Sequence, residues 1–130
     1  MIVTGIDHVN VSVPEDLEGE VVGWYSDVLG LQAIPKPGGT RDRGRWFDLG
    51  NAQLHLSVEE HNPPHGAHFC LVVEDFDSLL ERLRSLGNHV EQARPIPGRQ
   101  RCFTRDPAGN RLEFMALDEA ETNVVYEERG

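Results

Sequence analysis

The chain repeats itself. Ile6-Asp7-His8-Val9-Asn10-Val11-Ser12-Val13 lies in register with Gly66-Ala67-His68-Phe69-Cys70-Leu71-Val72-Val73, and an acidic pair follows each stretch, Glu15-Asp16 in one and Glu74-Asp75 in the other. A helical segment then closes at Leu29-Gly30 and at Leu86-Gly87. After a loop rich in Pro and Arg, Arg45-Trp46-Phe47 answers Arg101-Cys102-Phe103, and Asn51-Ala52-Gln53-Leu54-His55-Leu56 answers Gly109-Asn110-Arg111-Leu112-Glu113-Phe114. A period near sixty residues marks a duplicated module rather than a short solenoid unit, and each copy reads strand, helix, strand, strand, strand. The predicted modules span about 2–58 and 66–117 of one domain, 1–117, and the acidic stretch 118–130 is set apart as a tail.

Within each copy the side chains alternate as strands require. Val9, Val11 and Val13 fall on one face and His8, Asn10 and Ser12 on the other; Leu54, Leu56 and Val58 oppose Gln53, His55 and Ser57; Leu112, Phe114 and Ala116 oppose Arg111, Glu113 and Met115. Phe76, Leu79, Leu80, Leu83 and Leu86 recur at helical spacing, with Asp75 as N-cap and Gly87 as the stop. Leu17, Val21, Trp24, Tyr25 and Val28 form a first helical stripe diluted by Gly19 and Gly23. Asp106-Pro107-Ala108-Gly109-Asn110 has the composition of a turn.

At 130 residues the chain suffices for one well-buried domain. It has no apolar run of membrane-spanning length and no charged-then-apolar signal sequence at Met1. Cys70 and Cys102 lie inside predicted strands without the close spacing of a redox or zinc motif, so a reduced, cytoplasmic protein is expected. A formal charge of −10 disfavours a nucleic-acid partner and leaves room for a cationic ligand. The basic residues are eleven Arg and one Lys, and Arg is the better fork for a carboxylate or phosphate.

Chemistry concentrates where the copies coincide. His8 and His68 open the two halves, and His55 and Glu113 occupy equivalent later positions. A polar strand face is ordinarily a solvated one, and for a lone histidine that reading carries at least as much weight as ligation. Two pairs of repeat-equivalent donors shift the balance, because a pseudo-two-fold axis would bring all four toward one point. His61, His65 and His89 have no such partners and are expected at the surface. The loops 41–45 and 94–101 occupy equivalent places; they read mainly as solvated turns, with Arg45 and Arg101 as candidates to hold an anionic substrate group.

These stretches resemble the paired βαβββ modules of the vicinal oxygen chelate superfamily, which includes glyoxalases, extradiol dioxygenases, fosfomycin-resistance enzymes, methylmalonyl-CoA epimerases and bleomycin-binding proteins. The resemblance covers about residues 2–117 and rests most on Ile6-Asp7-His8-Val9, Trp24-Tyr25-Ser26-Asp27-Val28-Leu29-Gly30-Leu31, Gln53-Leu54-His55-Leu56 and the run Asp106 to Phe114. It implies an α+β fold in which the two modules form a cup-shaped mixed or antiparallel sheet, helices outside and metal inside, and commonly a homodimer. It places the metal positions on His8, His55, His68 and Glu113. Glyoxalases usually carry Glu at the place of His55.

Imidazole and carboxylate donors suit Zn, Ni, Co or Fe. Four protein ligands in an octahedral shell leave two positions, enough for a substrate chelating through adjacent oxygens, and so favour lyase or isomerase chemistry with Glu113 as ligand and base. If His55 stays off the metal, His8, His68 and Glu113 make the 2-His-1-carboxylate set of non-haem iron dioxygenases, and His55 becomes an acid/base residue near the substrate. The same three-ligand set would suit metal-assisted thiol addition to an antibiotic. A metal-free drug-binding resistance protein of the bleomycin type is a further expectation, in keeping with the acidic charge. The remaining alternative is a regulatory or partner-binding domain with a vestigial site.

Overall fold

The computed structural model describes residues 2–38 and 43–117. The predicted tail 118–130 and Arg41-Asp42 of the first Arg-rich loop lie outside the described residues. The elements run β1 His8–Val13, α1 Glu18–Gly23, β2 Ala33–Ile34, β3 Arg45–Asp48, β4 Gln53–Val58, β5 His68–Val72, α2 Phe76–Ser85, β6 Glu91–Gln92, β7 Arg99–Arg105 and β8 Arg111–Leu117. Each half of the chain therefore repeats strand, helix and three strands, an α+β fold of paired modules. The strands make two four-stranded sheets of matching order, β1-β4-β3-β2 and β5-β8-β7-β6. Contacts divide the chain into Met1–Ala67 with Arg105–Arg111, and His68–Thr104 with Leu112–Gly130.

In the first unit, β1 pairs parallel to β4, with His8 opposite Gln53 and Asn10 opposite His55. β4 pairs antiparallel to β3, with Trp46 opposite His55 and Phe47 opposite Leu54. The interior strand β4 thus has its ladder satisfied on both edges, and its apolar face supplies Leu54 and Leu56 to a core with Val13, Val21, Tyr25 and Phe47. Each such side chain removed from water contributes about 1.5–3 kcal/mol.

The first helical stripe folds less regularly than its periodicity suggests. A 3-10 turn at Glu15–Leu17 leads into α1, and Trp24–Val28 widens into a π turn closed by Leu29 N–H donating to Trp24 O at 3.3 Å. The extra residue per turn lets the adjacent Trp24 and Tyr25 both reach the interior, which a uniform α-helix presents less readily. Tyr25 Oη donates to Asp106 Oδ2 at 2.7 Å, and Asp106 also accepts from Ala108 N, Asn110 N and Asn110 Nδ2. That buried node, with Asn110 Nδ2 donating to Ser12 O at 3.0 Å, explains why the predicted turn 106–110 is gathered into the first unit. Burial, then the Asp106 charge and hydrogen bond, raise the Tyr25 pKa well above its ordinary value, so the phenol stays a donor.

His61 departs from the expected surface role. Its Nε2 lies 2.7 Å from Ala108 O, which can only accept, so the lone pair on Nδ1 accepts from Ser12 Oγ at 2.7 Å. The ring is half-buried and ties the turn to β1.

The second unit follows the pattern more closely. Asp75 caps α2 by accepting from Ser78 N at 3.0 Å, and Gly87 ends the helix at φ 82°. Phe76 and Leu83 from the helix, with Leu112 and Phe114 from β8, form its core. β8 is covered on both faces, since Glu113 and Met115 are buried as well.

Gly44 has φ 89°, and a Cβ there would stand 2.1 Å from Leu56 O, whereas Gly50 has a similar φ of 88° with open space around it. Gly50→Ala should therefore cost about 1–2 kcal/mol for its left-handed backbone alone. Gly44→Ala should cost more than Gly50→Ala by at least about 1 kcal/mol, because backbone must move as well. Urea denaturation of the two variants checks the order; equal losses would remove the close approach from the account.

Candidate functional site

Each unit holds one pair of the residues singled out from the sequence. In the first, the His55 ring is packed between two others. Trp46 stacks on one face at 3.9 Å between centroids and 2° between planes, and His8 on the other at 4.2 Å and 17°. The cross-strand register produces this, because Trp46 faces His55 directly and His8 lies on the edge strand beside β4. His55 is only 7% exposed, so the solvated reading of its strand face does not apply to it. Its Nε2 lies 2.9 Å from Gln53 Oε1, an acceptor, so Nε2 carries the hydrogen and the neutral ring keeps its lone pair on Nδ1. Burial foremost, then the neighbouring His8, lowers the His55 pKa against the opposing pull of Asp7. His8 is more open, and its Nδ1 donates to Asp7 Oδ2 at 2.8 Å, leaving Nε2 as its donor atom for a ligand.

In the second unit, Glu113 Oε1 lies 2.9 Å from His68 Nε2 and Glu113 Oε2 accepts from Arg101 Nε at 2.7 Å. Glu113 is 8% exposed. Burial acts to raise its carboxyl pKa, but the Arg101 hydrogen bond and charge, followed by His68, outweigh it and hold the group below the ordinary value. Glu113 is therefore ionised, and His68 Nε2 is the donor in their contact. Phe103 meets the His68 ring edge-on at 5.0 Å. Cys70 shares this neighbourhood: desolvation, and next the Glu113 carboxylate, push its thiol up to about 11, so it remains protonated and inert.

Within neither unit, among the described residues, do three or more His, Cys, Asp or Glu side chains gather as one metal-holding group. The pairs that do form are His8 with His55 and His68 with Glu113. Of the two arginines, Arg45 is exposed on β3 opposite Leu56. Arg101 is spent on the protein, since Nη1 also donates to Arg94 O at 2.6 Å.

The match of Arg45-Trp46-Phe47 to Arg101-Cys102-Phe103 is one residue out of register. Trp46 lies directly opposite His55, two residues before the end of β3, and the residue at the same place in β7 is Phe103, not Cys102. The connection between β7 and β8 carries one residue more than that between β3 and β4, which shifts every position before it. Trp46, Gln53, Asp7 and Phe103 were not singled out as site residues. Their signal was adjacency to a candidate ligand along or across a strand.

The chain belongs to the Glyoxalase/Bleomycin resistance protein/Dioxygenase superfamily, whose family model matches residues 5–114. It is similar to a protein assigned to the glyoxalase family from Bacillus anthracis, at 35% identity and a TM-score of 0.83 over 90% of this chain and 98% of that one. A lactoylglutathione lyase from Agrobacterium tumefaciens matches at 26% identity and a TM-score of 0.69 over 89% and 96%. The antibiotic binding protein TnmS3 from a Streptomyces species shares the fold at 19% identity and a TM-score of 0.71 over 90% and 98%. No helix among the described residues is long and apolar enough to cross a membrane.

The lowered pKa of His55 has a testable consequence. A histidine whose folded pKa lies below its unfolded value binds fewer protons when folded, so its contribution to stability is present above about pH 6.5 and is lost as pH falls through the folded value. Proton NMR titration should place His55 below 6.5, and His8→Ala should move it part of the way back while the burial effect persists. A midpoint at or above 6.5 in the wild type would contradict the environment described.

Proposed function

We propose that this chain is a divalent-metal-dependent enzyme of its superfamily, performing lyase or isomerase chemistry on a small substrate with oxygens on adjacent carbons. The observation that carries the reading is the contact of His68 Nε2 with the buried, ionised carboxylate of Glu113 at 2.9 Å. An imidazole and a carboxylate in contact, the carboxylate buried and the imidazole open to solvent, are the donor types that Zn, Ni, Co and Fe accept, and no thiolate is required. The Asp7 carboxylate on His8 Nδ1 supports the same reading, because it orients the ring with Nε2 outward.

In this reading His8, His55, His68 and Glu113 are the metal ligands, and repeat equivalence is the ground for joining the two pairs in one centre. A divalent ion held there supplies Lewis-acid stabilisation of charge on a substrate oxygen. Glu113 stands ionised and is the candidate base next to a carbonyl, while the neutral His55 ring offers its one lone pair as ligand and handles a proton only where it stays off the metal. Neither arginine is set beside the candidate ligands to meet an anionic substrate group: Arg45, next to Trp46 and opposite Leu56, falls on the face of the sheet away from His55, and Arg101 is committed to Glu113. The similarity to a lactoylglutathione lyase makes 2-oxoaldehyde hemithioacetals the first substrates to try. A homodimer in the cytoplasm completes the proposal, and the free thiols of Cys70 and Cys102 accord with a reducing compartment.

A second reading has its own support. With His55 Nε2 bonded to Gln53 and the ring held between Trp46 and His8, His55 has reason to stay off the metal. His8, His68 and Glu113 would then form the facial set of a non-haem iron dioxygenase.

Elemental analysis and X-ray absorption on wild type, His8→Ala, His55→Ala and Glu113→Gln test these readings together. Near-stoichiometric Ni, Co or Zn, one ligand fewer in His55→Ala, and turnover down roughly a hundredfold or more in Glu113→Gln are the expected results. Iron with an unchanged shell in His55→Ala would select the dioxygenase. Full metal occupancy in both His8→Ala and Glu113→Gln would sink the ligand set, and a wild type that takes up drug but no metal would make the chain a binding protein.

A further inference from the structure

Ser12 and His61 form a pair that the metal-dependent reading leaves unused. Ser12 Oγ donates to His61 Nδ1 at 2.7 Å, and His61 Nε2 donates to Ala108 O at 2.7 Å. A hydroxyl becomes a nucleophile when a neighbouring base can take its proton and a third group holds that base in the right tautomer. All three parts are present within the first unit. The arrangement is not general to the strand pair. Ser57, opposite Ser12 in the ladder, donates to Asn10 Oδ1 at 2.7 Å, an amide oxygen that is no base.

The surroundings of the pair are those of a reacting group. Ser12 and His61 are both half-buried, neither sealed from solvent nor fully solvated. β1 is the edge strand of its sheet, and Asp7 O and Val13 O are turned to Gln53 N and Glu59 N of the neighbouring strand side. Alternation therefore turns the peptide groups of Ser12 to the other edge, where Ser12 O accepts from Asn110 Nδ2 at 3.0 Å. The Ser12 N–H faces that same edge beside the hydroxyl, the place from which a nucleophile's own amide can donate to an oxyanion. A cavity of about 430 Å³ has His61 in its wall. Val58 gives it an apolar part, and Glu15, Glu59, Glu60 and Arg43 give it charge, with Arg43 paired to Glu15. Three carboxylates against one guanidinium favour a cation there.

We propose that Ser12 is the nucleophile of an acyl-transfer site, with His61 as its base, that takes small esters carrying a positive charge. Ser12 Oγ attacks the ester carbonyl carbon as its proton passes to His61 Nδ1. The imidazolium keeps its Nε2 hydrogen on Ala108 O and gives the Nδ1 proton to the departing alkoxide, so the ester C–O bond breaks and an acyl-serine remains. Water then attacks the acyl carbon, His61 takes its proton and returns it to Ser12 Oγ, and a carboxylic acid leaves. The group that orients His61 is a neutral carbonyl rather than a carboxylate, which stabilises the imidazolium less. Turnover is accordingly slow, and the modified serine is the most direct readout.

The test treats wild type, Ser12→Ala and His61→Gln with diisopropyl fluorophosphate and locates the adduct by intact mass and peptide mapping. Hydrolysis of acetylcholine and of its uncharged isostere 3,3-dimethylbutyl acetate is followed in parallel by the acetate released. One adduct per chain on Ser12 is expected in wild type, none in Ser12→Ala, and labelling at least about tenfold slower in His61→Gln, which keeps a donor for Ala108 O but has no base. Acetylcholine is expected to have the higher kcat/KM, and the double change Glu59→Gln with Glu60→Gln to lower that preference about threefold or more. A wild type that is not labelled at Ser12 overturns the proposal whether or not the variants fold, and so does labelling at an undiminished rate in His61→Gln. Equal kcat/KM for the two esters overturns the assignment of a cationic substrate.

Discussion

The register of β4 between β1 and β3 is the constraint on which the first unit depends. It pairs parallel on one edge and antiparallel on the other, so its backbone is satisfied on both sides and neither neighbour can slip independently. Because strand side chains alternate with period two, a slip of one residue would exchange Leu54 and Leu56 for Gln53 and His55 on the core face. The apolar core therefore fixes the chemistry. Phe47 opposite Leu54 sets Trp46 opposite His55, and the stack of Trp46, His55 and His8 follows from packing that itself has nothing to do with a ligand.

The alternation of β1, β4 and β8 was legible in the residues, as were the capped helix between Asp75 and Gly87 and the repeat that organises both sheets, because each is carried by local periodicity. The π turn at Trp24–Val28 was not, since it answers a demand to bury two adjacent aromatics that only tertiary packing makes. The repeat register failed by one residue at Arg45-Trp46-Phe47 for a similar reason: the two hairpin connections differ in length, and similarity of residues across the gap masked it. For the site, the sequence pointed to His8, His55, His68 and Glu113 as one group, and the contacts within the units join His8 with His55 and His68 with Glu113. It missed that His55 and Glu113 are buried. A polar residue on an alternating strand reads as solvated unless one knows that its strand is interior to the sheet and covered on both faces.

Burial at those two positions creates different problems, and the two units solve them differently. A neutral imidazole can enter a low-dielectric setting with one hydrogen bond and apolar faces on either side, which Gln53, Trp46 and His8 provide, and its lowered pKa is the mark of that neutrality. A carboxylate cannot do so without a counter-charge. Glu113 therefore has Arg101 and His68 at its two oxygens, and their combined effect exceeds the desolvation that opposes ionisation.

That difference bears on how a duplicated module acquires an asymmetric site. The positions of His55 and Glu113 are equivalent in the repeat, yet exchanging their residues would not be neutral. A glutamate at 55 would sit among Trp46, His8 and Gln53 with Gly44 where a guanidinium would be needed, and the 2.1 Å approach to Leu56 O forbids adding one there without moving the backbone. A histidine at 113 would leave Arg101 buried without its carboxylate, which costs more than never having paired it. The surroundings of His55 and Glu113 thus differ at the position two residues before the aromatic, Gly44 in one unit and Arg101 in the other, and packing and charge around the two side chains oppose their exchange.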